Sequence, residues 1–587
     1  MISPLLCLAL WLPSEPDAVT TAELTTRVFD LAPILQPRAS ANVPIPLLPV
    51  VVNPYAPIPV EEREPTGLSA DVVVDLVRTC VWPEEWEFEG RALERMDSDN
   101  GTVIRVTLPA ARMHDVEQFL RYLTETLTAE TTVTVSVHRV IAGPKPPRAI
   151  PADASGVAEL QRNGQLGPAR SFRVRLQPGR VEQTALRQTH SYVADYDVEI
   201  AQAAARAQPI LRQFETGTEL AVRGDVMRDG RVALQFAVTD SVAPLAFEAI
   251  DVRGEAQFVS ERGAETSSVR CMLQSPLVRC ATVAGTAELA AGEVVVVGAI
   301  DPSALSTEHA GIVVVVRADS IAPKARVFPL GDIELRTIDV GYVAMAHLDL
   351  PVLVGNRLGW SSDNDESIQA PPHIDIPNGI DSSVVESATF ASGAFDSGDV
   401  YVTSSGPFVF LRTRTTATEP RERGSELEGR LLARLPDVPS SAVVDLRMGE
   451  GDDMTTWGRV STSIRGGLAL AGSQESYVES WEVDVANNSS IVQPNTYMLP
   501  SVVVARASTS PTGENSRSIR VQFVSRLRDG AKVVLDPQMP MLGISHAVNF
   551  LKTEFDATRA LGVKDALPFG LVELAAGRPL PMIVRLN

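Results

Sequence analysis

The chain has 587 residues, room for three or four domains at about 150 residues each. Hydrophobic residues make up 44% and charged residues 21%, a globular balance that excludes disorder along the whole length. The formal charge is −21, with 47 Arg and 5 Lys in no basic run, which excludes nucleic acid as a partner because phosphate tracking needs clustered positive charge.

Ile2 to Leu12 (ISPLLCLALWL) is an apolar run of 11 residues followed by Pro13. It fits a signal-peptide core and is too short to span a bilayer; a buried N-terminal strand or helix is the other reading. Residues 1–20 are therefore expected to be a signal peptide and 21–66, with a proline every few positions, an extended linker, since proline fixes φ and removes a donor. Val72, Val73, Leu76 and Val77 predict a helix over Ala70–Cys80. Arg91–Met96 and Thr102–Leu108 read as strands joined at Asp99-Asn100-Gly101, a hairpin turn signal. Val116, Phe119, Leu120, Leu123 and Leu127 then form one helical stripe. Helix, strand, strand, helix defines a small α+β module over 67–128.

Beyond Thr131 the sequence is strand grammar: short Val-rich runs such as TVTVSVHRV, RVALQFAV and GIVVVVRAD, bounded by Gly, Asp, Pro or Ser. Residues 129–330 form the first β-rich unit, 331–400 an acidic, loop-rich connection, and 401–587 a second β-rich unit, with His546–Arg559 a candidate helix before a final strand. The fold class is mainly β with a small α+β module. A tandem duplication is expected, because SYVADYDVEIA (191–201) matches SYVESWEVDVA (476–486) and ELAAG (288–292) matches ELAAG (573–577), both at an offset of 285.

The first unit resembles secretins, the ring-forming channel proteins of bacterial type II and type III secretion and of pili. The resemblance rests on SYVADYDVEIA (191–201), GTELAV (217–222), DGRVALQFAV (229–238) and VAGTAELAAGEVVVVGAI (283–300), in the family's order. Tyr192, Val193, Val198, Ala201, Gly292 and Gly298 occupy its motif positions. Ala299 stands where the family has the second glycine of a pair, and VFPLGDIEL (327–335) only faintly echoes its proline-bearing gate. WPEEWEFEG (82–90) and NGTVIRV (100–106) resemble modules that precede secretin domains in some chains. The match covers roughly 67–320. It implies export to the periplasm or outer membrane, protein partners in a cell-envelope secretion complex and self-association; membrane contact stays open. One secretin chain normally carries one such domain. With two, the second unit is expected to cover an edge of the first.

No catalytic constellation stands out. The seven histidines (114, 138, 190, 309, 347, 373, 546) show no HExxH, and there is no Gly-x-Ser-x-Gly, no phosphate loop and no dinucleotide fingerprint. No enzyme activity, cofactor or metal is expected. Two acidic clusters, Asp97/Asp99/Asn100 and Asp363/Asn364/Asp365/Glu366, read as a turn and a solvated loop rather than calcium sites. Four cysteines exclude a disulfide scaffold. Cys271 and Cys280, flanking Pro276, are a candidate disulfide in an exported chain and small buried residues in a cytosolic one; Cys80, Trp82 and Trp86 are read as core. An exported β-sandwich scaffold or adhesion protein that forms no channel is the alternative function. Uniformly apolar EVVVVGAI and GIVVVVRA read as buried strands, too short for the alternating strands of a membrane barrel.

Overall fold

The computed structural model describes residues 23–35, 45–48, 51–52, 68–98, 101–141, 147–302, 309–343, 350–351, 373–374, 376, 387, 400–414, 422–434, 441–535 and 545–587, short breaks inside these ranges aside. The small module comprises β1 (Leu24–Asp30), α1 (Ala70–Cys80), β2 (Ala92–Ser98), β3 (Gly101–Pro109) and α2 (Ala110–Leu127). The Ser69 side chain accepts the Val72 N–H and so caps α1. α1 buries Val73, Leu76, Val77 and Cys80, and α2 buries Met113, Val116, Phe119, Leu120 and Leu123. The sheet order is β1-β3-β2.

The chain then enters β4 (Thr131–Val140), β5 (Arg170–Leu176), β6 (Val181–Ala201), β7 (Ala204–Val226), β8 (Val232–Val242), β9 (Glu248–Ser260), β10 (Gly263–Ser275), β11 (Leu277–Leu289), β12 (Val294–Ile300) and β13 (Gly311–Ser320). Next come β14 (Ala325–Leu330), β15 (Ile333–Asp339), β16 (Val400–Ser405), β17 (Phe408–Arg414), α3 (Glu422–Arg434), β18 (Ala442–Met448) and β19 (Thr455–Thr462). The last are β20 (Gly467–Ala486), β21 (Ser489–Gly513), β22 (Ser516–Leu535), β23 (Ser545–Gly562), β24 (Ala566–Glu573) and β25 (Pro579–Leu586).

Two large antiparallel sheets face each other. One runs β6-β7-β8-β11-β20-β21-β22-β23, the other β5-β4-β13-β12-β19-β18-β25-β24. A single core fills the space between them, from Val133 and Val222 through Phe236, Val297 and Trp457 to Phe523 and Val584. The Val-rich runs are uniformly apolar because β12 and β13 are covered on both faces: Val297 and Val314 point into this core, Val296 and Val313 into a smaller cluster with Ile150 and Val157. The outer face of the long-stranded sheet is covered in turn by Ile45, Leu47, Leu350, Ile374 and Ile376. A mainly-β fold with a small helical part is what the structure shows. The two β-rich units are halves of one sandwich, not separate bodies.

The halves have the same strand order and pairing. β6 pairs β7 with Tyr192 opposite Arg212, and β20 pairs β21 with Tyr477 opposite Tyr497; 477−192 and 497−212 are both 285. Each pair carries its register shift at the same place, Val193/Asp195 and Val478/Ser480. Across the next pair, Val238 faces Leu220 and Phe523 faces Ala505, again 285 apart. Beyond that the spacing shortens: Val238 faces Val283 and Phe523 faces Phe555, so β11 and β23 correspond at 272. The ELAAG segments therefore do not correspond, since Glu288 lies near the end of β11 while Glu573 closes β24.

The correspondence extends to the small module. β15 and β16 flank β17 as β1 and β2 flank β3. Arg27 on β1 faces Val106 and pairs with Glu117 of α2; Arg336 on β15 faces Leu411 and pairs with Glu428 of α3 at 2.8 Å. Asp30 accepts the N–H of Ala32 and Asp339 that of Gly341.

Several expectations need correction. Residues 21–66 are not all linker: β1 completes the module sheet, Ile45–Pro46 pairs with His373–Ile374, and Val51–Val52 pairs with β7. Residues 331–400 are not all connection, because β15 belongs to a sheet with β17. His546–Arg559 is strand β23, its inward positions Phe555 and Ala557 packing on the core with a period of two. Residues 283–300, one of the family-like segments, are split between β11 and β12 in different sheets. Residues 1–20 lie outside the described residues.

The sheets come close at Gly285, where an added Cβ would lie 2.2 Å from the Ser461 carbonyl oxygen. Gly285→Val is expected to lower stability by about 2–3 kcal/mol in urea unfolding, as overpacking does. Gly429→Ala, in open space on α3, is expected to raise it by about 0.5–1 kcal/mol.

Candidate assembly surfaces

The halves meet at a junction that both sheets cross. In the long-stranded sheet β11 pairs β20 from Leu277↔Glu475 to Ala284↔Leu468. In the other, β12 meets β19 at Gly298↔Arg459 and Ala299↔Gly458. Small and polar residues hold this seam. Ser461 Oγ donates to the Thr286 carbonyl at 2.6 Å, Thr462 Oγ1 to the Ala507 carbonyl at 2.8 Å, and Ser275 Oγ to the Ser476 carbonyl at 2.9 Å. Arg459, buried at the seam, donates to Asp445 at 2.8 Å. Each of these four side chains thus has a partner, without which its desolvation would cost about 1–3 kcal/mol, while Arg459 Nε finds none.

The modules meet on a second surface. The helices α1 and α2 lie between their own sheet and the β14-β15-β17-β16 sheet, with Leu330, Leu335, Phe408 and Phe410 in one cluster with Val73, Leu76 and Phe119. Tyr122 Oη donates to Thr337 Oγ1 at 2.8 Å and to the Arg326 carbonyl at 3.0 Å, and Phe119 meets Phe328 edge-on at 5.5 Å. α3 packs on the far face of that sheet through Leu431 and Leu432.

At the flanks the sheets end. Among the described residues β6 pairs only with β7, β23 with β22, β5 with β4, and β24 with β25. Leu186 on β6 is 56% exposed and Leu571 on β24 61%. Both flanks leave apolar groups at the end of the core, Phe172 and Val174 on one side, Phe555 on the other. Unpaired strand edges of this kind are templates for another chain.

The family-motif positions occupy different places. Tyr192 is buried against Phe214 and Phe247, Val193 donates its N–H to Gln274, and Val198 and Ala201 pair with Ala207 and Ala204. Gly292 sits in the turn after β11 at φ +83°, and Gly298 at the junction, where a Cβ would lie 2.7 Å from the Ile312 carbonyl. Cys280 is buried and free, its thiol pushed up to about 12 by burial. The side chain of its candidate disulfide partner, Cys271 on β10, lies outside the described residues. Cys80 is also buried in the core, with Trp82 and Trp86 packed beside it. Asp97 is taken up by Arg95 and Thr102; Asp99, Asn100 and Asp363 to Glu366 lie outside the described residues. Among the described residues no helix is long and apolar enough to cross a membrane, and no three His, Cys, Asp or Glu side chains are placed to hold a metal.

Periodicity gave no sign of a buried charge cluster linking the sheets. Asp240 on β8 accepts from Arg139 of β4 at 2.7 Å, from Thr218 of β7 at 2.6 Å and from Arg170 of β5 at 3.4 Å, and lies 3.2 Å from His309. Burial alone would raise its carboxyl, but the adjacent His309 and Arg139 hold it down to about 2. Asp339 behaves oppositely. Burial, then the adjacent Asp225, push it well above the usual carboxylate range.

No protein-family model matches the sequence, and no curated protein matches it. Similar solved structures include the InvG secretin domain β-barrel from the Salmonella SPI-1 injectisome, 13% identical with a TM-score of 0.18, covering 53% of this chain and 90% of that one. The Salmonella SPI-1 type III secretion injectisome secretin InvG is 12% identical with a TM-score of 0.19, covering 52% and 88%. The basal body proteins InvG, PrgH and PrgK of the same injectisome give 12% and 0.19, covering 52% and 62%. Overlap at such TM-scores does not establish a shared fold.

The two carboxyls set opposite pH trends. Folded Asp339 keeps a proton that the unfolded chain releases above about pH 4, so its contribution is full below pH 4 and falls as the pH rises toward its folded value. Asp240 contributes fully above about pH 4 and loses its contribution as the pH falls toward 2. Asp339→Asn is expected to gain stability relative to the native chain between pH 5 and 8 in urea titrations; an unchanged difference across that range refutes the protonated carboxyl.

Proposed function

We propose that this chain is a non-enzymatic, exported assembly component of a cell-envelope protein secretion complex. The observation that carries the reading is that, among the described residues, each flank of both large sheets ends in an edge strand with no further partner: a sandwich whose core ends in exposed Leu186 on one side and Leu571 on the other is built to continue into a neighbour. The secretin-like segments support the secretion setting. SYVADYDVEIA lies in β6, GTELAV in β7, DGRVALQFAV in the turn before β8 and in β8 itself, and VAGTAELAAGEVVVVGAI in β11 and β12. They line up the strands that build the two sheets. The buried charged side chains tie one element to another, as Asp240 joins four strands and Arg336 joins β15 to α3.

The test is fractionation of bacteria making the full chain. The chain is expected in the envelope fraction, in a complex heavier than its own 63.1 kDa; recovery as a cytosolic monomer overturns the reading. Purified without partners it is expected to be a monomer or small oligomer by light scattering at physiological salt, since a charge of −21 opposes packing of many copies. A heat-resistant megadalton species would instead establish a self-sufficient channel.

A further inference from the structure

We propose that Arg447, Arg459 and Arg585 form a binding site for a phosphate group on the outer face of the sheet that runs from β5 to β24. The site lies away from the flanking edges and does not depend on the assembly reading.

That sheet repeats one strand order, β5-β4-β13-β12 and then β19-β18-β25-β24. In the first half the link from β4 to β5 carries the helix Ala154–Arg162. Val157 of that helix, with Ile150 before it, covers Val140, Val296 and Val313 on the outer face. In the second half the link from β18 to β19 is only residues 449–454 and carries no such helix. The face changes to match. Val444, Leu446 and Met448 of β18 and Val584 and Leu586 of β25 point into the core, so alternation turns Asp445, Arg447 and Arg585 outward. Charge stands where the first half has valine.

The charges converge on one carboxylate. Asp445 lies opposite Arg585 of β25 and opposite Arg459 of β19. Arg459 donates through Nη1 to Asp445 Oδ1 at 2.8 Å, and Arg447 Nη2 lies 3.5 Å from Oδ2. An arginine keeps its proton in a protein, so three positive charges meet one negative charge. A surplus charge of this kind is costly to bury without a counter-charge, yet the Arg459 side chain is only 9% exposed. The Nε atoms of all three arginines are buried, with no acceptor among the described residues. Asp445 occupies Nη1 of Arg459 and leaves the Nε–Nη2 edge, which grips an oxyanion through two parallel hydrogen bonds. The surrounding groups do not remove the surplus. Arg148 pairs with Asp453 at 3.4 Å, and exposed Asp153, which attracts Arg459, accepts the Gly156 N–H as a helix cap. A phosphate group carries about −1.5 to −2 near pH 7 and cancels the two surplus charges, where a carboxylate would cancel one. Its tetrahedral oxygens can also take donors from three strands at once. Arg447 and Arg585 are half-buried, which leaves the site a mouth on the surface.

Isothermal titration calorimetry of the full chain with sodium phosphate, in chloride buffer of matched ionic strength, tests this. One saturable site is expected with a Kd at or below about 1 mM, and acetate is expected to bind at least about ten-fold more weakly. Arg447→Gln and Arg585→Gln are each expected to weaken phosphate binding about ten-fold. Their melting temperatures in phosphate-free buffer are expected to be no lower than that of the native chain, because each variant sheds a surplus charge. Arg121→Gln, on the exposed surface of α2, is expected to bind phosphate like the native chain. The proposal is overturned if no saturable binding occurs below about 10 mM, or if acetate binds as tightly. It is equally overturned if Arg447→Gln and Arg585→Gln bind like the native chain, or if Arg121→Gln loses as much. Flotation with phosphatidylcholine vesicles containing phosphatidic acid identifies the source. Flotation of the native chain that Arg585→Gln abolishes supports a lipid headgroup; phosphate binding without flotation supports a soluble phosphate.

Discussion

Everything else in the molecule depends on how closely the two large sheets approach at the seam between the halves. A protein interior is packed at the density of an organic crystal, and here backbone rather than side chain fills the gap. Gly285 stands against the Ser461 carbonyl, and Gly467 lies 2.9 Å from the same oxygen at its would-be Cβ. Bringing backbone so near backbone removes apolar filling and exposes carbonyls that need donors. Ser461, Thr462 and Thr286 supply hydroxyl partners locally. Beside these glycines Phe236, Trp457 and Phe523 fit between the layers.

That constraint explains why the halves do not behave as two domains. A domain boundary falls where few contacts cross, yet here strands of both sheets pair across the boundary and one core runs beneath them. The modules repeat the theme with different chemistry. Their contact is a helical layer against a sheet, dominated by Phe119, Phe328 and Phe410, and it tolerates larger side chains because no backbone is pressed against backbone.

Much of this was legible in the sequence where the signal is local. The helix–strand–strand–helix module follows from a 3.6-residue stripe and a turn motif, and the offset of 285 holds through three strands because no residue was gained or lost between them. It fails at β11 because the β9–β10 hairpin makes the first half 13 residues longer from Val238 to Val283 than the second is from Phe523 to Phe555. β1 and β15 escaped notice for another reason. Their partners β3 and β17 lie about 80 residues away, and LTTRVFD and IELRTID share little beyond Arg and Asp at matched places. The flanking edges were not legible at all, since an edge is defined by what is absent beside it. Nor was the Asp240 cluster, which gathers residues from 139 to 309 on five different segments.

The β11–β20 pairing also bears on how the chain comes off the ribosome. Ala284 and Glu475 are separated by 191 positions, and synthesis proceeds at about 5–20 residues per second. For some ten to forty seconds, then, β11 has emerged with one edge bare and nothing yet made to cover it. During that interval its Val278, Val283 and Ala284 form a sticky β-segment, and fidelity of folding rests on a holding factor or on the polar threonines that interrupt it.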